Sequence, residues 1–263
     1  MNRIGKGVMA TVAAAAAAVL LAACGGGDDA SLPSAESMCG SMGLQPKVLN
    51  GANCGTPERS SVILLNVSTS SGTAVCSGTL ITPTKILTAA HCLPGGTRRV
   101  LAGLWRGDGT VVGVPASRWA VHPQYQRSTN ALLNDAAVIV LQQALPNPTM
   151  PLLVSQPSSP GQPIYVAGWG APGFDLAVGF ATLTTVNETS IGYTYSGELS
   201  NTCSGDSGGP AYRTVGGQPA LIGITSSGTV VDCGKGDGSL FTNAQGPSVI
   251  NFIRAQAPEA AYL

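Results

Sequence analysis

The sequence predicts an all-β fold, built as barrels or as a sandwich, and three observations predict it. Glycine and proline are abundant, 35 and 18 of 263 residues, while only 10% of residues are charged. That is the composition of a turn-rich β protein. From Val62 onward, short apolar runs of strand length alternate with turn clusters. No run before the C-terminus carries a helical period. Strands without long helices bury their apolar faces by closing on themselves or stacking.

Taken in order, the apolar runs predict strands at 62–67, 76–81, 85–89, 111–114, 136–141, 163–167 and 220–224. A turn at Pro83 separates the second from the third. The run 136–141 is Ala-Ala-Val-Ile-Val-Leu, apolar at every position, which reads as a strand buried on both faces. Only 247–256 has helical spacing: Val249, Ile250, Phe252 and Ile253 share one face, which predicts a C-terminal amphipathic helix.

The N-terminus reads as an export signal. Arg3 and Lys6 precede an apolar, alanine-rich stretch over 8–23, shorter than the ~20 residues a spanning helix requires. Residues 1–23 are therefore expected to be a signal peptide. The end of the stretch, Leu21-Ala22-Ala23-Cys24, resembles the bacterial lipobox, in which the cysteine carries lipid. Gly25 after it points to the outer membrane, at its periplasmic or cell-surface face. The alternative is an ordinary signal cleaved at small residues, which would make the protein secreted. Residues 24–47 are low in hydrophobicity and rich in Ser, Gly and Pro. They are expected to be a flexible tether and a pro-segment, leaving 48–263 as one globular domain.

The net charge is zero, which gives no support to nucleic-acid binding or attraction to acidic membranes. A monomer is expected. Seven cysteines are an odd number for an oxidising compartment, and lipidation of Cys24 leaves an even six. Sequence alone leaves their pairing open. No Cys/His cluster has metal-ligand spacing, so neither metal nor cofactor is expected.

The run Cys203-Ser204-Gly205-Asp206-Ser207-Gly208-Gly209-Pro210 is the most informative segment. It sets one serine beside glycines that let two backbone N–H groups converge on a developing oxyanion. A serine needs a base, and the base an orienting acid. The chain holds two histidines, His91 and His122. His91 lies in Thr88-Ala89-Ala90-His91-Cys92, and His122 sits before Pro123 and reads as structural. Asp135 stands at the mouth of the apolar 136–141 run, where an acid must be paired. The three tryptophans, Trp105, Trp119 and Trp169, read as packing residues.

Thr88–Cys92, Asn134-Asp135 before an apolar strand, Gly205–Pro210, Gly168-Trp169-Gly170 and Gly223–Ser226 together resemble the chymotrypsin/trypsin family. The order His, Asp, Ser separates that family from others using the same chemistry. The resemblance covers 48 to the C-terminus. It implies two six-stranded antiparallel Greek-key barrels with a C-terminal helix, and a serine endopeptidase acting on proteins or peptides through an acyl-enzyme. Ser207 would be the nucleophile, His91 the base and then acid, and Asp135 its orienter. Gly205 and Ser207 would form the oxyanion hole. The resemblance implies disulfides Cys76–Cys92 and Cys203–Cys233, which leaves Cys39–Cys54. It also marks Lys47-Val48 as an activation site, where cleavage would free a Val48 amine to pair with Asp206. A Cys39–Cys54 bridge would straddle that cut.

The resemblance implies a substrate-binding segment at Ser226, Ser227 and Gly228, although the family usually has an aromatic where Ser227 stands. Asn201 falls at the family's pocket-base position and carries no charge. Ser239 falls where a glycine wall is usual. These two favour small or uncharged polar side chains at the cleaved residue, while a slip of one or two residues in 233–238 would bring Asp237 into the pocket. Two other functions remain open: a catalytically silent binding lipoprotein on the same scaffold, and an esterase using the same triad.

Overall fold

The computed structural model describes residues 1, 33–42, 54–106, 108–127, 132–171, 173, 175–229 and 232–263. Apart from Met1, the expected signal lies outside these residues, as do Cys24, Lys47 and Val48.

Within the stretch expected to be tether and pro-segment, residues 35–40 form a helix, α1 (Ala35–Gly40). Ser34 caps it, its hydroxyl accepting the Ser37 N–H at 3.1 Å, which satisfies one of the free donors of the first turn. Met38, Cys39 and Met42 are buried. The Ser41 and Tyr212 hydroxyls hydrogen-bond at 2.8 Å, and Cys39 is bridged to Cys54. This part of the segment is thus docked on the body of the protein.

The first half of the body holds β1 (Val62–Thr69), β2 (Thr73–Thr82), β3 (Lys85–Thr88), β4 (Thr97–Trp105) and β5 (Val111–Val121). A two-stranded ribbon, β6 (Gln126–Arg127) and β7 (Leu132–Leu133), leads to β8 (Ala137–Leu141). Six of these strands close into a barrel in the order β1-β2-β3-β8-β5-β4. Their alternation explains the closure. In β1, Leu65 and Val67 are fully buried while Asn66 between them is exposed, as the period of two in a pleated strand requires. β8 departs from alternation: Ala137, Val138 and Ile139 are all buried, which is why its sequence is apolar throughout.

The second half holds β9 (Pro163–Gly168), β10 (Ala177–Thr182), β11 (Thr185–Val186), β12 (Ser190–Thr194), β13 (Pro210–Val215), β14 (Gln218–Ser227) and β15 (Gly238–Asn243). They form one sheet in the order β10-β9-β13-β14-β15-β12-β11. Its two edge strands, β10 and β11, are separated in the chain by Leu183 and Thr184 alone. They are two halves of one bent strand, so the sheet curls back on itself into the expected second barrel.

The helix α2 (Pro247–Gln256) closes the chain, with Pro247 in its first turn, where the missing N–H has no intrahelical partner to lose. Val249, Ile250, Phe252 and Ile253 are buried and join a core continuous with that of the first barrel. His122 fastens the helix to β5. Its ring lies 4.9 Å from that of Phe252, and its Nε2 is 3.3 Å from the Ser248 carbonyl oxygen. His122 is structural, as its sequence context predicts.

Candidate active site

The pairing of β3 with β8 brings His91 and Asp135 together. Thr88, the last residue of β3, lies opposite Ala137, the first of β8. His91 follows the end of one strand and Asp135 precedes the start of its antiparallel neighbour, so both fall at the same barrel rim. Asn134 sits at φ 51°, a left-handed conformation that asparagine tolerates better than most residues, and it turns the chain into β8.

Asp135 is fully buried, and His91 is 19% exposed at its side chain. The Asp135 carboxylate takes three hydrogen bonds: the His91 N–H at 2.8 Å, His91 Nδ1 at 2.7 Å and the Ser226 hydroxyl at 2.6 Å. A buried carboxylate is tolerable when its lone pairs are met in this way. The Nδ1 bond also fixes the proton there, leaving Nε2 as the basic nitrogen of neutral His91. Ser226 ends β14, so the second barrel contributes directly to an acid held by the first.

Ser207 approaches the same rim from the loop before β13. Its carbonyl oxygen accepts the Ser77 N–H at 2.8 Å and lies 3.6 Å from Cys92 Sγ. That sulfur is 4.0 Å from His91 Nε2. Cys92 is bridged to Cys76 of β2, so one disulfide ties the His91 turn to the strand on which Ser207 rests.

The loop itself is a turn of residues 203–206, closed by the Asp206 N–H on the Cys203 carbonyl at 3.0 Å. Gly205 sits at φ 98°, the third position of a turn that favours glycine. Among the described residues, neither the Gly205 nor the Ser207 N–H has a protein acceptor. Both are available as donors beside the Ser207 side chain.

Asp206 faces away from this cleft. Its two oxygens accept the Gly170 and Cys203 N–H groups, each at 2.9 Å. Loss of solvent pushes its carboxyl up to about 6, against the opposing pull of those N–H groups. A Cβ at Gly170 would lie 2.6 Å from its carboxylate carbon, and one at Gly168 would collide with Oδ1. The Gly-Trp-Gly turn is thus shaped around this carboxylate. Asp206 borders a cavity of about 200 Å³ otherwise lined largely by small and aliphatic groups such as Val166, Ala167, Ala177 and Val178.

Residues 48–253 match the protein-family model described as Trypsin. The chain belongs to the trypsin family of serine proteases. Its curated relatives include chymotrypsin-like elastase family member 1 of Bos taurus, 32% identical over 60% of this chain and 70% of the relative. Brachyurin of Leptuca pugilator is 31% identical over 64% of this chain and 81% of the relative. Inactive CLIP domain-containing serine protease A3 of Aedes aegypti is 29% identical over 61% and 41%.

Three bridges join Cys39 to Cys54, Cys76 to Cys92 and Cys203 to Cys233, the last two as the resemblance implies and the first as the pair left over. Ser227 and Gly228 line a cleft of about 280 Å³ together with Ser207. Asn201 and Ser239 are not among the residues that line it, although Asn201 donates to the Cys233 carbonyl at 2.9 Å and to Asp237 Oδ2 at 2.8 Å at its border. Ser239 is fully buried, and Asn201 borders the Asp206 cavity. Asp237 borders the cleft and is itself fully buried. Among the described residues there is no cluster of His, Cys, Asp and Glu able to hold a metal, and no helix is long and apolar enough to cross a membrane.

Sequence reasoning missed Ser77. Besides its N–H bond to Ser207, its hydroxyl donates to the Gly205 carbonyl at 2.8 Å and accepts the Trp169 N–H at 2.9 Å. Its own carbonyl takes the Thr88 hydroxyl at 2.8 Å. One residue of the first barrel thus holds the Gly205–Ser207 loop and the Gly-Trp-Gly turn. Only its place beside Cys76 could have drawn attention to it. The second role of Ser226, as a donor to Asp135, was also missed.

Proposed function

We propose that this chain is an exported serine endopeptidase, working through an acyl-enzyme and activated by cleavage after Lys47. The observation that supports it best is the buried Asp135 carboxylate bound to His91 Nδ1 at 2.7 Å, beside a serine flanked by two available N–H donors.

In the proposed reaction, Ser207 Oγ adds to the carbonyl carbon of the scissile peptide while its proton passes to His91 Nε2. Asp135 holds the ring and stabilises the imidazolium. The oxyanion is met by the Gly205 and Ser207 N–H groups, each such donor contributing roughly 10²–10³ in rate. The tetrahedral adduct then collapses. The C–N bond breaks, and His91 gives its proton to the departing amine. Water attacks the acyl group on Ser207, its proton passing to His91, and the acid product leaves as Oγ is reprotonated.

Cleavage after Lys47 would free the Val48 α-amine, whose ordinary pKa is about 7.7–8.0. Its cation would pair with Asp206, and its aliphatic side chain would enter the adjoining apolar cavity. That pairing would hold Asp206, and with it the Gly205–Ser207 turn. Cys24 would carry the lipid that anchors the protein to a bacterial outer membrane.

A fluorophosphonate probe tests this on the full-length chain before and after cleavage at Lys47, with the label mapped by mass spectrometry. Label on Ser207 only after cleavage is the expected outcome, and Lys47→Gln should prevent it. Label in both forms would discard the switch and keep the peptidase. Label in neither would move the weight to a silent binding protein. Paired peptide and ester substrates separate a peptidase from an esterase. Loss of lipid labelling in Cys24→Ala checks the anchor.

A further inference from the structure

We propose that the first barrel carries a cationic face, built on Arg98, Arg99 and Arg118, that seats this protein on an anionic membrane surface. The proposal goes beyond the peptidase reading and takes from it only the lipid anchor at Cys24.

The zero net charge hides a division. Residues 54–150, which hold the first barrel, carry seven Lys and Arg and three Asp and Glu, a balance of +4. Residues 151–263, which hold the second, carry three and seven, a balance of −4. A molecule divided in this way turns in an electric field although its net charge is nil.

The three acids of the first half are accounted for. Asp135 is buried against His91. Glu58 adjoins Arg59, and Asp108 follows Arg106 by two residues. Lys85 is paired with Glu259 at 2.6 Å. That leaves Arg98, Arg99, Arg118 and Arg127, all exposed. Among the described residues, none of the four has an ion pair.

The sheet gathers three of them. Arg98 and Arg99 stand at the start of β4. β5 runs antiparallel beside it, with Leu101 opposite Pro115, so Arg118 returns to the same end of the hairpin. Val100 and Ala102 are buried in the barrel, which turns Arg99 outward. Arg118 lies opposite Val140 of β8, whose other neighbour is Lys85, so the cationic row continues across the strands. Like charges on neighbouring strands destabilise a sheet. No acid among the described residues pairs with these arginines, and an anionic surface would.

A membrane fits this arrangement better than a free anion on two counts. Ser34, the cap of the docked helix α1, stands ten residues after Cys24. That length of chain spans at most ~36 Å, so a lipid at Cys24 holds the barrels within reach of the surface. The acidic second half is repelled by the surface that attracts the first, which selects one orientation. A small soluble anion gains nothing from that division.

The test is sedimentation with vesicles of phosphatidylcholine, alone or mixed with phosphatidylglycerol. The mature chain is expressed from residue 24 with Cys24→Ala, so that neither signal nor lipid contributes. Binding to the anionic vesicles alone is expected, weakening as salt is raised. The triple variant Arg98→Gln, Arg99→Gln, Arg118→Gln should bind about 10²-fold more weakly, each arginine contributing roughly fivefold. Lys235→Gln, which removes a cation from the second half, should change binding by less than about twofold. Relief of repulsion should leave the thermal midpoint of the triple variant unchanged or higher, so lost binding is not lost folding. Should the triple variant fail to fold, Arg99→Gln and Arg118→Gln carry the test singly, at about fivefold each. Equal binding to both kinds of vesicle, or undiminished binding by a folded variant, overturns the proposal. So does displacement from the vesicles by inorganic phosphate at constant ionic strength, which would make the cluster a site for a free anion. Fluorophosphonate labelling of Ser207 in the cleaved chain separates this surface from the peptidase reading. Labelled protein that ignores the vesicles sinks the surface and keeps the peptidase, and salt-sensitive binding without label does the reverse.

Discussion

Ser77 shows how much a single hydroxyl can carry. Buried and bonded to both the Gly205 carbonyl and the Trp169 N–H, it leaves two backbone groups unmet when removed. Ser77→Ala should therefore lower stability by about 1–3 kcal/mol, read by urea unfolding. It should also lower kcat more than it raises KM, since it frees the turn that presents the Gly205 N–H. Asp206 yields a prediction with a sign. In the uncleaved chain its folded pKa of about 6 exceeds the ordinary 3.8, so between those values the folded state binds the proton and the unfolded state does not. Stability should fall as pH rises from about 4 to about 6, by on the order of 2 kcal/mol. Asp206→Asn should flatten that slope in denaturation measured across pH, and the cleaved form of the same variant should stay inactive.

At the scale of elements, the strands legible in the sequence were those with continuous apolar runs, such as β1, β8 and β14. The strands β4, β6, β7, β10, β11, β12, β13 and β15 were not predicted. β4 carries exposed Arg98 and Arg99, and β12 reads Ser-Ile-Gly-Tyr-Thr. β12 shows no apolar run, and the run in β4 begins only at Val100, after those arginines, and is broken by Gly103. The helix α2 was legible because its buried face repeats at helical spacing, whereas α1 is too short to show a period. Phe252 anchors α2 against His122. Phe252→Ala should lower stability by about 3 kcal/mol, seen as a fall in the thermal unfolding midpoint, with Ser207 still labelled by fluorophosphonate below the transition.

At the scale of the whole molecule, the site exists only where the two barrels meet. His91 and Asp135 come from the first, Ser207 and Ser226 from the second, and Ser77 with the Cys76–Cys92 bridge joins them. Residues 33–42 belong to this body too, through the Cys39–Cys54 bridge and the contact of Ser41 with Tyr212. Cleavage after Lys47 should leave one band on a non-reducing gel and release the N-terminal piece only under reduction. Release without reductant would contradict that linkage.

The sequence by itself determined the fold class and the residue types of the site. Apolar periodicity follows from burial, and the Gly-Asp-Ser-Gly-Gly loop from the backbone that the proposed acyl chemistry demands. Only the tertiary structure decided which groups meet. Strand register brought Asp135 to His91, and loop packing gave Ser226 to Asp135. It also joined Ser239 to Asn201 and Asn201 to Asp237. Those choices depend on through-space contacts between residues far apart in the chain, which no local pattern encodes.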